Sequence, residues 1–152
     1  MMEWMLMPLR KYAQFSGRSR RKEFWMFALL NMIVYTVVFA LMFATSGASM
    51  FAAADSTNPL AIYSAMFSGV GILLALWGLA VFIPSIAVSV RRLHDRDMSG
   101  WWYLGFIVAS MIPLIGVIAS IAFIVVMALP GTPGANRFGP DPKDPGSAEV
   151  FR

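Results

Sequence analysis

The chain has 152 residues, of which 59% are apolar and 13% are charged, whereas an ordinary soluble domain carries roughly half and a quarter. A water-soluble domain of this size has no room to bury so many apolar side chains. The composition therefore indicates one membrane domain over residues 1–152 and excludes a disordered chain, a collagen and a disulfide scaffold. With no Cys and a single His, we expect no metal site and no cofactor.

Three charge-free apolar runs separate the charged segments of the chain. Residues 24–45, about 62–90 and 101–129 are predicted to be membrane helices, because a hydrocarbon core of about 30 Å needs about 20 apolar residues in a helix. Residues 1–23 form a basic N-terminal segment, and residues 131–152 form a tail rich in Pro and Gly. The predicted fold is an all-α integral membrane protein, a small bundle of three transmembrane helices.

The third span is longer than one crossing needs and carries helix-breaking residues at its middle. As one straight helix, residues 101–129 would reach about 43 Å, which is too short for two full crossings. Pro113 and Gly116 indicate a bend, since proline removes a hydrogen bond and bends the helix axis. We favour one Pro-kinked crossing; the alternative is a hairpin that turns at residues 113–116, gives four segments and returns the tail to the side of the N-terminus.

Lysine and arginine near the ends of the spans predict the orientation. The segment 1–23 carries six of them, the loop of residues 46–59 carries none, and the segment Arg91–Asp97 carries three. The N-terminus is therefore expected in the cytoplasm and the first loop outside. The net charge of +4 sits beside apolar spans, so the expected partners are the phospholipid bilayer and its anionic headgroups, and not nucleic acid.

The densest polar chemistry is the segment Arg91–Asp97, which reads RRLHDRD. If the second helix continues into it, Asp95 is three residues from Arg92 and four from Arg91, spacings that place opposite charges on one helix face. A solvated, self-paired helix end is the ordinary interpretation. The functional interpretation is a site for an anion or a headgroup, because paired arginines bind phosphate through their forked donors.

Two further features indicate packing. Asn31 is the one amide inside a span, and we expect it to hydrogen-bond across helices. In the tail, Asn136-Arg137-Phe138-Gly139 stands among Pro and Gly residues that exclude a helix and predict turns. An amide, a guanidinium and an aromatic ring together exceed what a flexible end needs, so Arg137 or Phe138 is expected to dock on the protein or on lipid.

Four stretches carry a recognisable pattern, in this order along the chain. They are KYAQFSGRSRRKEFW at residues 11–25, RRLHD at 91–95, SGWW at 99–102, and IPLIG at 112–116 followed by residues 131–142. With them the chain resembles the bacterial inner-membrane family called domain of unknown function 805. The resemblance implies a small multi-pass helical protein of the bacterial inner (cytoplasmic) membrane, and it implies no established activity, cofactor or catalytic residue.

The charged ends of the segments define one candidate face for binding a lipid or a membrane partner. Its residues are Arg18, Arg20, Arg21, Arg91, Arg92, His94, Asp95, Asn136 and Arg137. Within this face we expect an ion pair that joins two segments, between Asp95 and either Arg20 or Arg21, since these residues are predicted on one side of the membrane.

The favoured function is that of a structural or interaction protein that binds another membrane protein, a second copy of itself or an anionic lipid at its cytoplasmic face. One alternative is a subunit of a small transporter or channel, although three spans are few for a pore. The other is a lipid-headgroup enzyme using His94 and Asp95, for which a single His–carboxylate pair is thin support. A function without catalysis is therefore preferred.

Overall fold

The computed structural model describes residues 1–67 and 69–144, which form six α-helices and no β-strand. In chain order they are α1 (Met2–Arg10), α2 (Arg21–Ala54), α3 (Pro59–Met66), α4 (Gly71–Asp95), α5 (Trp101–Ser110) and α6 (Ile115–Ala128). The expected all-α fold is confirmed. The basic N-terminal segment contains α1, a helix that the sequence did not predict, and the tail is described as far as Asp144.

The chain divides into two compact units. The first, here the terminal unit, comprises Met1–Ala28 and the chain from Ile83 onward, and the second, the central unit, comprises Leu29–Phe82. The helices α2 and α4 each begin in one unit and end in the other. All of the predicted polar face lies in the terminal unit.

Two helices are long and apolar enough to cross a membrane: Arg21–Thr45 within α2, and Gly71–Asp95. The first contains the predicted span 24–45, and α2 continues beyond it to Ala54. The second ends at Asp95, so the helix does continue into the charged segment, as the pairing of Arg92 with Asp95 required.

The second predicted span, 62–90, is not one helix. Pro59 occupies the first turn of α3, where its missing N–H and fixed φ are tolerated, and the side chain of Asn58 caps that turn by accepting from the N–H of Leu60 at 3.0 Å. After α3 the chain passes through Gly69 at a φ of 54°, a conformation that glycine adopts without strain and that no helix continues through. The membrane-length helix therefore begins later than predicted, at Gly71.

The third predicted span, 101–129, forms two helices that pack against each other. The ring of Phe123 on α6 lies 5.5 Å from that of Phe106 and 6.0 Å from that of Tyr103 on α5, between ring centroids. The favoured single Pro-kinked crossing is therefore wrong, and the segment is the hairpin that was the alternative. With 10 and 14 residues, the two helices extend about 15 Å and 21 Å, each shorter than a hydrocarbon core of about 30 Å.

A tight turn at Leu114 reverses the chain between α5 and α6. Leu114 has a φ of 67° and a ψ of −51°, and the N–H of Ile115 donates to the carbonyl of Pro113 at 2.8 Å, which makes a γ-turn of the strained, positive-φ kind. Gly116 then passes so close to α5 that an added Cβ would lie 2.5 Å from the carbonyl oxygen of Ser110. The predicted bend residues thus produce a complete reversal.

In the central unit, Asn31 has the structural role that its position predicts. The indole Nε1 of Trp77 on α4 donates to the Oδ1 of Asn31 on α2 at 3.1 Å. This hydrogen bond joins the two membrane-length helices where lipid offers little driving force for their association.

The strain at Leu114 leads to a prediction about stability. Leu114→Gly should raise the free energy of unfolding by on the order of 1 kcal/mol, because glycine adopts a positive φ without strain and the leucine side chain is 83% exposed. Unfolding in detergent by titration with sodium dodecyl sulfate, followed by circular dichroism, measures the change. The matched control is Leu104→Gly inside α5, which should lower stability by about 1 kcal/mol; a loss of stability in both variants contradicts the prediction.

Candidate functional site

Three stretches of the terminal unit meet at the C-terminal end of α4: the irregular segment between α1 and α2, α4 itself, and the tail. The N–H of Ser19 donates to the carbonyl of Arg91 at 3.1 Å, and the N–H of Thr132 donates to the carbonyl of Asp95 at 2.8 Å. Five ionisable side chains are buried where the stretches meet, and together they are called the charge cluster: Arg18, Glu23, Arg91, Arg92 and Asp95.

The carboxylate of Asp95 is the centre of the charge cluster. Its Oδ1 accepts from Arg18 Nε at 2.9 Å, and its Oδ2 accepts from Arg92 Nη1. All three side chains are at most 2% exposed. A buried carboxylate is tolerated only when it is paired and hydrogen-bonded, and here two guanidinium groups supply both.

The ion pair between segments therefore exists, but the predicted partners of Asp95 are wrong. Arg20 instead donates through Nε to the carbonyl of Pro142, and Arg21 is exposed with its Nη1 3.4 Å from the carbonyl of Ala128. The irregular segment before α2 has no helical periodicity, so the sequence gives no means of choosing which of its arginines faces α4.

The two arginines bound to Asp95 also bind the backbone at the end of α6 and in the tail that follows it. The carbonyl acceptors are Met127 at 3.1 Å and Leu129 for Arg92, and Thr132 and Gly134 at 2.6 Å each for Arg18. The last carbonyls of a helix have no partner within it. Arg92 supplies hydrogen-bond donors for the carbonyls at the end of α6, and Arg18 supplies donors for two carbonyls of the tail.

Gly131 lets the tail pass directly over Asp95. A Cβ added at Gly131 would lie 2.0 Å from the Oδ2 of Asp95, so any side chain there would displace the carboxylate or the tail. In the sequence Gly131 reads only as a turn residue. Nothing in the sequence predicts that the backbone at Gly131 approaches the carboxylate of Asp95.

His94 is enclosed between the N-terminal segment and the tail. Its ring stacks on Phe138 with 3.9 Å between centroids and 5° between planes, and its Nδ1 lies 3.2 Å from the carbonyl of Gly17. The side-chain amide of Asn136 donates to the carbonyl of His94 at 2.9 Å. The prediction that the aromatic residue of the tail docks on the protein is confirmed.

Arg137 docks as well, at the surface. Its Nη2 donates to the carbonyl of Asp97 at 2.7 Å, and its Nε lies 3.2 Å from the Oδ1 of the same residue. The two side chains are 61% and 48% exposed, so this ion pair contributes little to stability. The partly buried contacts of Phe138 and Asn136 hold the tail more firmly.

Arg91 and Glu23 form the second buried pair of the charge cluster. Arg91 Nη1 lies 2.8 Å from Glu23 Oε1, but these atoms are not aligned for a hydrogen bond, and among the described residues Arg91 Nε and Nη2 have no hydrogen-bond partner either. Burial lowers the pKa of nearby Lys11, an effect that Glu23 opposes and Arg91 strengthens. Glu23 lies within the recognisable stretch of residues 11–25 but was not among the predicted site residues.

The cluster holds more positive than negative charge. Three guanidinium groups, those of Arg18, Arg91 and Arg92, are buried with two carboxylates, those of Glu23 and Asp95. An uncompensated buried charge is costly. Asp141 of the tail brings further negative charge near Arg18: the hydrogen bond from the N–H of Lys143 and the positive charge of Arg18 both lower the pKa of Asp141.

The structure brings all nine predicted site residues into the terminal unit but separates them by exposure. Buried are Arg18, Arg91, Arg92 and Asp95; partly exposed are Arg20, His94 and Asn136; exposed are Arg21 and Arg137. The buried residues bind other parts of the chain, so only the remaining ones are placed to meet a lipid or a partner. No group of three or more His, Asp or Glu that could hold a metal occurs within residues 1–67 and 69–144.

Because two arginines bind the carboxylate of Asp95, we expect the stability effects of substitutions at Asp95 and Arg18 to be coupled. Asp95→Asn should lower the free energy of unfolding by about 3–5 kcal/mol, because it leaves buried guanidinium groups without their counter-charge. In a double-mutant cycle with Arg18→Gln, the two losses should be non-additive by at least about 1 kcal/mol. Detergent unfolding measures each variant.

The control for this cycle is Arg21→Gln, which removes an exposed arginine from the same region of the chain. Its effect should add to that of Asp95→Asn within about 0.5 kcal/mol. Additive losses for Arg18 with Asp95, or strong coupling for Arg21, would contradict the observed pairing.

Comparison with known proteins places the chain in a family. The chain is 43% identical to the inner membrane protein YhaH of Escherichia coli (strain K12), over 93% of this chain and 98% of the relative. It is 37% identical to the inner membrane protein YhaI of the same strain, over 93% and 97%, and 30% identical to the uncharacterized protein YiiR, over 86% of each. No solved structure matches the chain. Residues 12–140 match the family described as Protein of unknown function (DUF805), and the chain belongs to that family.

Proposed function

We propose that the chain is a multi-pass protein of the bacterial inner membrane that binds anionic phospholipid at its cytoplasmic end, as an interaction protein and not as an enzyme. Two of its relatives are named inner membrane proteins. The two membrane-length apolar helices support the same location. Binding of a protein partner at the same end is the competing outcome that the experiments below separate from lipid binding.

The observation that carries the proposal is the mixed surface of residues 1–25. Exposed cations and exposed apolar or aromatic side chains share this short stretch: Arg10, Arg21 and Lys22 among the former, and Met2, Leu6, Tyr12, Phe15 and Trp25 among the latter. Cations are attracted to anionic headgroups, and aromatic rings favour the depth at which headgroups meet acyl chains. This combination fits a lipid surface better than a purely basic or purely apolar patch would.

The hairpin supports a topology with four segments and both ends of the chain in the cytoplasm. It returns the chain to the C-terminal end of α4, where Thr132 binds the backbone of Asp95 and Arg18 binds the tail. The distribution of Lys and Arg predicts this end to be cytoplasmic. The N-terminal segment and the tail would then lie on one side, beside the same leaflet.

The geometry gives no support to a lipid-headgroup enzyme that uses His94 and Asp95. Both oxygens of Asp95 are engaged by arginines, and His94 Nδ1 faces the carbonyl of Gly17. Among the described residues, the ion pairs of Asp95 are with Arg18 and Arg92, so Asp95 does not act as the carboxylate partner that would orient His94 as a general base. No described contact favours a transporter or channel subunit over a binding protein.

The topology leads to a prediction for fusion proteins. A reporter attached after Arg152 should be cytoplasmic: a fluorescent protein that matures only in the cytoplasm should fluoresce, and alkaline phosphatase, active only outside, should be inactive. A fusion after Asp55, in the loop without cations, serves as the external control. An external signal from the fusion after Arg152 would contradict the four-segment arrangement.

The mixed surface leads to a prediction for lipid preference. Full-length protein given equal amounts of phosphatidylglycerol and phosphatidylcholine should retain mainly phosphatidylglycerol, as counted by native mass spectrometry. Arg10→Gln with Lys22→Gln should weaken this preference about thirtyfold, since each of the two cations near an anionic surface contributes about 1 kcal/mol.

Lys143→Gln is the matched control, because it removes an exposed cation from the tail and should leave the preference unchanged. Equal retention of both lipids by the unaltered protein would contradict the proposed lipid binding. It would favour a protein partner at this surface.

A further inference from the structure

The hairpin of α5 and α6 ends in a turn that contains no polar side chain. Residues 111–116, here called the hairpin tip, read MIPLIG, and the side chains of Met111 and Leu114 are 79% and 83% exposed. Turns that meet water are dominated by Gly, Pro, Asn, Asp and Ser, and the turn between α2 and α3, residues 55–58, reads DSTN. The hairpin tip therefore has the composition of a turn that meets hydrocarbon.

The groups that mark a membrane surface lie at the opposite end of the hairpin, its base. Trp101 and Trp102 are exposed where α5 begins, and such aromatic rings favour the level of the headgroups. Arg92 binds the carbonyls of Met127 and Leu129 where α6 ends. No Asp, Glu, Lys or Arg occurs in residues 98–136. The hairpin thus carries the features of a membrane surface at one end only.

The hairpin is also too short to join two membrane surfaces. Its helices of 10 and 14 residues extend about 15 Å and 21 Å at roughly 1.5 Å per residue, whereas a hydrocarbon core is about 30 Å thick. With the base at one border of the core, the tip lies past the middle and about 10 Å short of the other border. A turn at that depth is surrounded by acyl chains.

Much of the backbone at the tip has its hydrogen bonds within the chain, as a position in hydrocarbon requires. The N–H of Ile112 donates to a carbonyl in the last turn of α5 at 3.2 Å, and the N–H of Gly116 donates to the carbonyl of Ile112 at 2.7 Å. Pro113 has no N–H. The nearby hydroxyls of Ser110 and Ser120 donate to carbonyls of their own helices at 2.6 Å and 2.8 Å. These groups therefore need no water.

We propose that the hairpin inserts only part of the way into the bilayer, with its base held at the charge cluster and its tip covered by acyl chains of the surrounding lipid, short of the external surface. Acyl chains are the occupant that a tip without polar side chains accepts. The inference goes beyond the proposed headgroup binding, since it concerns the interior of the bilayer and not its charged surface. The hairpin then takes up room mainly in the leaflet beside the charge cluster.

Two other arrangements give different depths along the hairpin. A hairpin that crosses the whole bilayer places Val108, inside α5, deepest and brings Leu114 to the opposite surface. A tip covered by a second copy of the chain is reached by neither lipid nor water. Only partial insertion makes Leu114 accessible to lipid and deeper than Val108.

The first measurement compares the depths of single nitroxide labels in vesicles of phosphatidylcholine by electron paramagnetic resonance. The chain has no Cys, so Trp101→Cys, Val108→Cys and Leu114→Cys each provide one site, and all three side chains are more than half exposed. Oxygen concentrates in hydrocarbon, whereas a nickel chelate stays in water. The ratio of oxygen collisions to nickel collisions should rise from Trp101 through Val108 to Leu114, at least about fivefold in all.

Ser56→Cys, in the polar turn after α2, is the matched control and should give a ratio no higher than that at Trp101. A ratio at Leu114 below that at Val108 would overturn the proposal in favour of a crossing hairpin. Few collisions with either reagent at Leu114 would overturn it in favour of a second copy.

The second measurement uses two methionines of the unaltered full-length protein and so needs no variant to fold. Met98, beside the base, is only partly exposed, whereas Met111 at the tip is 79% exposed. Hydroxyl radicals generated in the water around protein in phosphatidylcholine bilayers convert accessible methionine to its sulfoxide, which mass spectrometry counts. Met98 should be oxidised at least about fivefold faster, since water does not reach a side chain in hydrocarbon. Oxidation of Met111 as fast as that of Met98 would contradict partial insertion.

Phosphatidylcholine carries no net charge, so these measurements separate the hairpin from the proposed function. If Leu114 is shallow while the protein still prefers phosphatidylglycerol, the hairpin crosses the membrane and lipid binding by residues 1–25 stands. If Leu114 is deepest while both lipids are retained equally, partial insertion stands and recognition of anionic headgroups fails.

Discussion

One carboxylate joins three distant parts of the chain. Asp95, at the end of α4, binds Arg18 with one oxygen and Arg92 with the other. Arg92 also reaches a carbonyl in the last turn of α6, and Arg18 reaches one in the tail. A lone buried arginine or a lone buried carboxylate would be strongly unfavourable. Each member is tolerated only because the others are present, so the N-terminal segment, α4 and the tail keep their positions together or not at all.

The pairing of Arg92 with Asp95 also explains how the last carbonyl groups of the hairpin find hydrogen-bond donors. The helices α5 and α6 are shorter than a bilayer core, and α6 ends with carbonyls that lipid would not satisfy. Arg92 takes up two of these, at Met127 and Leu129. Arg92, one of the cations from which the orientation is predicted, thus also completes the hydrogen bonding of the last helix.

Much of this could be predicted from the sequence, and the failures have physical causes. Charge-free apolar runs located both membrane-length helices, and the three-residue spacing of Arg92 and Asp95 gave their pairing because a helix has a fixed period. The sequence did not decide between the hairpin and a single crossing, because the number of residues in 101–129 fits one long tilted helix as well as two short ones. The choice of Arg18 depends on the path of an irregular segment, which has no period, and the close approach of Gly131 to Asp95 depends on tertiary contact alone.

Arg18 and its carbonyl acceptors in the tail are far apart along the chain, and this distance determines when their hydrogen bonds can form during synthesis. Arg18 leaves the ribosome early, whereas its acceptors at Thr132 and Gly134 lie 114 and 116 residues later. Until these are made, its guanidinium group must stay hydrated, because a buried donor without an acceptor is costly. The N-terminal segment is therefore made first but reaches its final hydrogen bonding last. A chain that stops before the tail leaves the guanidinium group of Arg18 exposed to water, which distinguishes it from a complete chain.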